Sequence, residues 1–261
     1  MNAADGIRLD RENGVATVTL DRPARKNALD QAAWIALRAA VEKVADDGTS
    51  RVLVLRGAAD TFCAGADVTA AGAQPVHPAV RMRSITAAVL ALHTIPLPTI
   101  AKVDGDAVGA GWNLALACDL VVATSRARFS QIFARRGLSV DCGGSWLLPR
   151  MIGVQRAKEL LYFPDLLDAR RVYELGLLNR LVEPDELDET VAELAARLAA
   201  GPPVALAQNK ALIDSAFTGT LAEAIARENA AQLVNFATDA PAGRAAASAK
   251  TTPQFEGTWQ L

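Results

Sequence analysis

Lys102-Val-Asp-Gly-Asp-Ala-Val-Gly-Ala-Gly-Trp-Asn-Leu-Ala-Leu-Ala-Cys-Asp-Leu-Val-Val-Ala123 carries the deciding pattern of this chain. Pro98 to Val103, which overlaps its start, is an apolar run of strand length. A turn rich in glycine follows, with Gly105, Gly109 and Gly111. Leu114, Leu116 and Cys118 then fall in an apolar segment that reads as a buried helix, and Leu120 to Ala123 leads away as a second run. A helix that begins inside such a turn presents free backbone N–H groups and the positive end of its dipole. That place suits a developing negative charge, either a phosphate or an enolate oxygen.

Working outward, a second turn of the same local order lies upstream. Val52 to Leu55 reads as a buried strand, and Arg56 to Ala66 as a loop that ends in Cys63-Ala-Gly-Ala-Asp67. Two N–H donors from separate loops are how proteins hold the oxyanion of a thioester or ester. Small residues also mark close packing, so either turn alone fits a purely structural role. Gly-x-Gly-x-x-Gly and the phosphate-loop lysine motif are both absent, which argues against a nucleotide fingerprint.

The rest of the chain supplies a frame for these turns. Ile7 to Asn13 and Val15 to Leu20 read as paired strands joined at Gly14. Asp30 is a suitable N-cap for a helix through Val44, whose Trp34, Leu37, Val41 and Val44 share one face. Thr69 to Pro78 has no period and reads as a surface loop before a helix over Val80 to Leu92. Phe129 opens a short strand or turn. Gly137 to Gly144 is a loop, and helices follow over Ser145–Ile152 and Val154–Phe163. Asp168 and Asp185 are expected to cap further helices, and Leu178 to Val182 reads as extended. From Pro202 onward only helices are predicted, over Pro203–Phe217, Leu221–Phe236 and Ala240–Lys250. The expectation is an α/β core over residues 1–200 and a helical region over 201–261 that docks on the core or on a partner subunit.

Composition narrows the function classes. With 51% hydrophobic residues the 261-residue chain can bury a large core. A net charge of -2 gives no electrostatic case for nucleic acid or an anionic membrane. Three cysteines without paired spacing argue against a disulfide framework and a zinc site. Met1 to Asp10 lacks an apolar signal core, and no run approaches the length of a membrane span, so a cytoplasmic setting is expected.

Five segments together carry a resemblance. They are Arg22-Pro-x-x-x-Asn27-Ala-Leu29, Phe62-Cys-Ala-Gly-Ala-Asp67, Val103-Asp-Gly-x-Ala-Val-Gly-Ala-Gly111, Cys118-Asp119 and Gly143-Gly-Ser-Trp-Leu-Leu-Pro-Arg150. In order and spacing they resemble the crotonase (enoyl-CoA hydratase/isomerase) superfamily. The resemblance implies a spiral of ββα units, with C-terminal helices that mediate homotrimers or hexamers built as dimers of trimers. It also implies acyl-CoA thioester substrates and no metal or redox cofactor, coenzyme A being part of the substrate. The two oxyanion amides of the family fall on Ala66 and Ala110, the second commonly glycine. Adenine and ribose contacts fall near Lys26, Ala28 and Ala64, and the C-terminal residues that reach CoA fall on Lys250 and Phe255. For each lysine the plain alternative is a solvated surface charge. Thr69 replaces a basic residue often present after the first oxyanion loop.

The departures bear on the reaction. Family hydratases use two glutamates, and the matching positions here are Asn113 and Phe133, neither of which transfers a proton near neutral pH. Trp112 is bulkier than the usual residue and, with Asn113, Phe133, the Thr69–Pro78 loop and the C-terminal helices, is expected to shape the acyl pocket. The apolar character of these segments points to a hydrophobic or aromatic acyl group. Asp141 lies where some family isomerases carry a catalytic aspartate, and the match around Gly143 to Arg150 is closest to the ring-epoxide phenylacetyl-CoA isomerase type. The plain alternative is that Asp141 caps the following helix. One placed carboxylate favours double-bond migration over hydration. Hydration with an unidentified acid and base, attack by Asp141 as a nucleophile, and a non-catalytic acyl-CoA binder are the other readings. Cys142 has no histidine to activate it. His77 and His93 read as structural or exposed, Asp67 and Asp119 as ties to loop backbone, and Trp146 as core packing.

Overall fold

The computed structural model describes residues 5–67 and 77–259. Residues 69–76, most of the expected surface loop, lie outside the described residues. The chain opens with an antiparallel pair, β1 (Ile7–Glu12) and β2 (Val15–Leu20), followed by α1 (Gln31–Ala45). Asp30 caps α1 by accepting from the Ala33 N–H at 2.9 Å, as its position predicts. Then β3 (Val52–Gly57), β4 (Thr61–Cys63) and α2 (Pro78–Thr94) form one ββα turn. The turn of β5 (Thr99–Val103), β6 (Asp106–Val108) and α3 (Ala110–Leu116) repeats that order. A third pair follows, β7 (Leu120–Thr124) and β8 (Arg128–Ser130), then α4 (Gly144–Ile152) and α5 (Val154–Tyr162).

Each turn sends its first strand to one sheet and its second to another. The larger sheet has the order β1-β2-β3-β5-β7-β10, parallel from β2 onward, where β10 is Arg180–Val182. The smaller sheet has the order β4-β6-β8-β9, where β9 is Leu167–Asp168. This is the spiral of ββα units that the resemblance implies. The short strands β4, β6 and β9 sit where the sequence reads as loop or turn. With two or three residues each they cannot show a period, and backbone pairing alone defines them.

The apolar runs of the larger sheet are continuous because both faces are covered. Val52, Val54, Ile100 and Val122 face α7 (Leu187–Ala199) through Leu187, Val191 and Ala195. Leu53, Leu55, Ala101, Val103 and Ala123 face the main core with Trp34, Leu37 and Leu92. Asp168 caps α6 (Ala169–Glu174) as expected, accepting from the Arg171 N–H at 2.8 Å. Asp185 does not cap α7. That helix starts after Glu186 with no side-chain cap, and Asp188 and Glu189 in its first turn supply the favourable charge instead.

The C-terminal helices are α8 (Pro203–Asp214), α9 (Leu221–Phe236) and α10 (Ala240–Ala249). Lys210 ties α8 to the core, donating to the Leu97 carbonyl at 3.2 Å and to Asp119 at 3.0 Å. Asp119 also accepts from the Thr99 N–H, the backbone tie expected of it. Ile213, Phe217, Leu221, Ile225, Leu233 and Phe236 are exposed, so the apolar positions of these helices are largely uncovered in the single chain.

The first motif segment explains itself once folded. Asn27 is buried with a left-handed φ of 55°. Its Nδ2 donates to the Ala58 and Thr61 carbonyls at 2.8 and 2.6 Å, and its Oδ1 accepts from the Arg22 N–H at 3.0 Å. Asn27→Ala would strand three partly buried groups, and a loss of about 2–4 kcal/mol is expected in urea unfolding.

Candidate active site

Segment 22–30 clamps the first glycine turn. The Ala64 N–H donates to the Lys26 carbonyl at 3.0 Å, Leu29 donates to Gly65 at 2.8 Å, and Asp67 donates to Leu29 at 2.9 Å. Arg22 bridges Asp30 at 2.6 Å and Asp67 at 3.4 Å, and its guanidinium also donates to the Ala28 carbonyl. These bonds fix the backbone on both sides of Ala66 and leave its own N–H without a backbone acceptor among the described residues. The second turn is held from the smaller sheet, where the Gly109 N–H donates to Ser130 at 2.8 Å. Ala110 is the first residue of α3, so its N–H has no intrahelical acceptor. Among the described residues neither the Ala66 nor the Ala110 N–H has a backbone acceptor.

Two glycines bring the turns together. Gly65 has a φ of 92°, and a Cβ there would lie 2.8 Å from the Val108 carbonyl and 3.4 Å from the Ala110 nitrogen. A Cβ on Gly111 would overlap the Cys63 carbonyl oxygen. Only glycine permits this approach, and the approach sets the two free amides on one cavity.

That cavity, of about 510 Å³, is bordered by Ala64, Gly65, Ala66, Gly109, Ala110, Phe133 and Asp141. Asp141 is its one bordering carboxylate among the described residues. Its Oδ1 is buried and, among the described residues, has no hydrogen-bond partner. Burial pushes the Asp141 carboxyl above the ordinary carboxylate range, against the opposing pull of the Cys142 thiol and the Arg81 charge. The carboxylate does not cap α4: Gly143 is the N-cap and no side chain bonds there. The Asp141 carbonyl is used instead, accepting from Gly144 at 3.0 Å and from Asn113 Nδ2 at 2.8 Å. Cys142, with a φ of 51°, and Gly143, with 79°, make the sharp turn that frees the carboxylate. Burial, with the Asp141 charge beside it, raises the Cys142 thiol far above its ordinary value, so it stays protonated.

The pocket residues expected from the sequence divide. Phe133 borders the cavity. Trp112 does not: it is fully buried and packs on Phe129 with ring centroids 5.3 Å apart. Asn113 is also fully buried and off the wall, its Oδ1 accepting from Gln131 Nε2 at 2.8 Å. Trp112 belongs to the main core, and every residue of α3 is buried. The C-terminal helices do not border this cavity in the single chain; α8 helps line a second one, of about 460 Å³, which holds neither free amide. Trp146 lines that second cavity rather than the core, 38% exposed, with the Arg150 guanidinium stacked 3.9 Å above it. Lys26 is exposed and faces Asp106 at 3.4 Å. Ala28 is buried beside it. Lys250 ends α10, and Phe255 lies against Gly243 with its carbonyl taken by Arg51 at 3.4 Å. His77 caps α2 through its ring, and His93 meets the Ala117 carbonyl at 3.2 Å; neither borders the cavity. Sequence reasoning missed Arg81 and Arg136, which border the cavity from α2 and from the turn after Phe133. Their only signal was position beside segments already singled out.

Comparison with known proteins bears on the family and the fold. The Enoyl-CoA hydratase/isomerase family profile matches residues 10–258. The chain is 38% identical over 252 residues to 1,2-epoxyphenylacetyl-CoA isomerase of Escherichia coli, covering 94% of this chain and 96% of that one. It is 36% identical over 223 residues to a probable enoyl-CoA hydratase of Rhodobacter capsulatus, covering 85% and 86%. Among solved structures, enoyl-CoA hydratase from Bacillus anthracis superposes with a TM-score of 0.92 at 30% identity, covering 97% of this chain and all of the other. Matched along almost its whole length in sequence and in fold, the chain belongs to the enoyl-CoA hydratase/isomerase family.

Proposed function

We propose that this protein shifts a double bond within an enoyl-CoA thioester, with Asp141 as the single acid/base. The carrying observation is the buried, unpartnered Asp141 Oδ1 on the same cavity as the free Ala66 and Ala110 amides. As a carboxylate, Asp141 takes a proton from the γ-carbon of a 2-enoyl group. The electron pair moves through the conjugated system onto the thioester oxygen, where the two N–H groups hold the dienolate. The same carboxyl then returns the proton at the α-carbon, so the bond moves and nothing is gained or lost. Each oxyanion donor is worth about 10²–10³ in rate in comparable sites. A carboxyl raised toward neutrality is the stronger base for this work. No second carboxylate borders the cavity among the described residues, which disfavours water addition.

Around this centre the proposal places CoA against the backbone of Lys26, Ala28 and Ala64, with Lys250 and Phe255 reaching CoA bound to a neighbouring subunit. The uncovered apolar positions of α8 and α9 support assembly into trimers or hexamers through region 201–261. Among the described residues no helix is long and apolar enough to cross a membrane, and no group of three potential metal ligands occurs. The protein works in the cytoplasm without a cofactor in this reading. Incubation with 2- and 3-enoyl-CoA thioesters in heavy water tests it. Deuterium incorporation with a shifted double bond is expected, and a gain of water mass would assign a hydratase instead.

A further inference from the structure

We infer that Gln131 is a positioning residue for the proton transfer: it fixes the Asn113 amide in the one orientation that holds the Asp141 backbone, and so sets where the base stands against the oxyanion amides. This rests on the reading of Asp141 as the acid/base. The orientation follows from hydrogen-bond chemistry. The Asp141 carbonyl can only accept, so the Asn113 atom that meets it at 2.8 Å is Nδ2. Asn113 Oδ1 then faces the other way and needs a donor. Gln131 Nε2 supplies it at 2.8 Å, between two buried side chains. An acceptor in place of Nε2 would turn the Asn113 amide over and set its oxygen against the Asp141 carbonyl.

Packing alone does not account for an amide at this place. Gln131 is 1% exposed, and its own Oε1 has no hydrogen-bond partner among the described residues. An unmatched buried acceptor costs stability, and a methionine of similar length would avoid that cost. The position of Gln131 supplies the reason instead. Ser130, the residue before it, accepts from the Gly109 N–H at 2.8 Å and so holds the turn that presents Ala110. Ile132, the residue after it, lies against the same turn: a Cβ on Gly109 would fall 3.2 Å from its side chain. One short segment therefore grips the second oxyanion turn directly and the base loop through Asn113. Ala110 and Asn113 share one turn of α3, closed by the Asn113 N–H on the Gly109 carbonyl at 3.0 Å. The path from oxyanion amide to base is thus one helical turn and one side chain. A single base that serves two carbons of a dienolate needs that stiffness, because it must reach both while the oxygen stays on the amides.

The test uses Gln131→Glu, which keeps the shape, and Gln131→Met, which removes the polar group. Turnover of 2- and 3-enoyl-CoA thioesters is followed by deuterium incorporation across a range of pH. A protonated glutamic acid donates to Asn113 Oδ1 as the native amide does, and an ionised one accepts and inverts the Asn113 amide. The kcat of Gln131→Glu, taken as a ratio to native, should therefore be near one at low pH and fall by about 10-fold or more as pH rises, with KM unchanged. A charge acting through space on Asp141 would move the acid limb and leave the plateau intact. Gln131→Met exchanges one unmatched oxygen for another, so it should keep the native melting temperature and lose kcat several-fold. In an Asn113→Leu background neither substitution should lower kcat further. A native kcat for Gln131→Glu at every pH would overturn the inference. So would equal losses with and without Asn113, or a lowered melting temperature of Gln131→Met with kcat intact. Asp141→Asn is assayed alongside. If it loses turnover while both Gln131 variants keep theirs, this inference alone fails; if it keeps turnover, the acid/base reading fails and the role of Gln131 with it.

Discussion

Asp141→Asn is expected to lower isomerisation of enoyl-CoA by about 10²–10⁴-fold, the range that a placed acid/base contributes. Asparagine has the same shape and keeps the carbonyl that Gly144 and Asn113 hold, so the loop retains its anchors. What it loses is the ability to accept and return a proton. Stability should move the other way. The native carboxyl is raised by burial above its unfolded value. Its favourable contribution is therefore complete below the unfolded pKa and lost as pH rises through the folded pKa. At neutral pH the variant should melt no lower than the native protein, which separates lost chemistry from lost fold. The native rate should rise with pH along an acid limb displaced above the ordinary aspartate range, and that limb should vanish in the variant. Undiminished turnover in Asp141→Asn would remove the single-carboxylate mechanism.

The sequence exposed the parts of this molecule that depend on long apolar runs or on backbone chemistry. The strands of the larger sheet were legible because burial on both faces makes them continuous, as in Val52 to Leu55. The two glycine turns were legible because no other residue fits where Gly65 and Gly111 sit. Asp141 was visible as the carboxylate beside a Gly-Gly turn. Of the smaller sheet only the piece at Phe129 was read as a short strand or turn; β4 and β6 were not, because they have three residues each and take their identity from distant partners. Trp112 and Asn113, expected at the pocket, are fully buried and do not border the cavity that holds Asp141. Ala110 opens α3 and borders the cavity, while Trp112 packs in the main core and Asn113 is tied to Gln131 and the Asp141 carbonyl. Proximity along the chain to an oxyanion residue did not reveal which face a side chain takes. Arg81 and Arg136 were missed because their place on the cavity wall is a property of the folded chain, and Arg81 precedes Asp141 by sixty residues.

Asn113→Glu, which restores the residue that family hydratases carry at this position, should abolish turnover rather than create a hydratase. The side chain at 113 joins a buried chain of hydrogen bonds. Gln131 Nε2 donates to Asn113 Oδ1, and Asn113 Nδ2 donates to the Asp141 carbonyl, each at 2.8 Å. The amide is packed so closely that a Cβ on Gly144 would fall 2.6 Å from Nδ2. An ionised glutamate cannot donate, turns a negative oxygen toward the Asp141 carbonyl, and adds a methylene where there is no room. Burying that charge unpaired costs about 3–5 kcal/mol, so reduced stability is expected with the loss of activity. Asn113→Asp removes the same donor without added bulk and makes the effect readable. With its new carboxyl ionised, this variant should lose about 10-fold or more in kcat with little change in KM, because the carbonyl it repels holds the base and not the substrate. Once protonated, the introduced carboxyl regains a donor, so the deficit of the variant should shrink as pH falls, opposite to the native acid limb. A merely structural role would lower the two parameters without that pH signature. If Asn113→Glu instead adds water to enoyl-CoA, the amide is dispensable, and the site would differ from a hydratase by that one carboxylate alone.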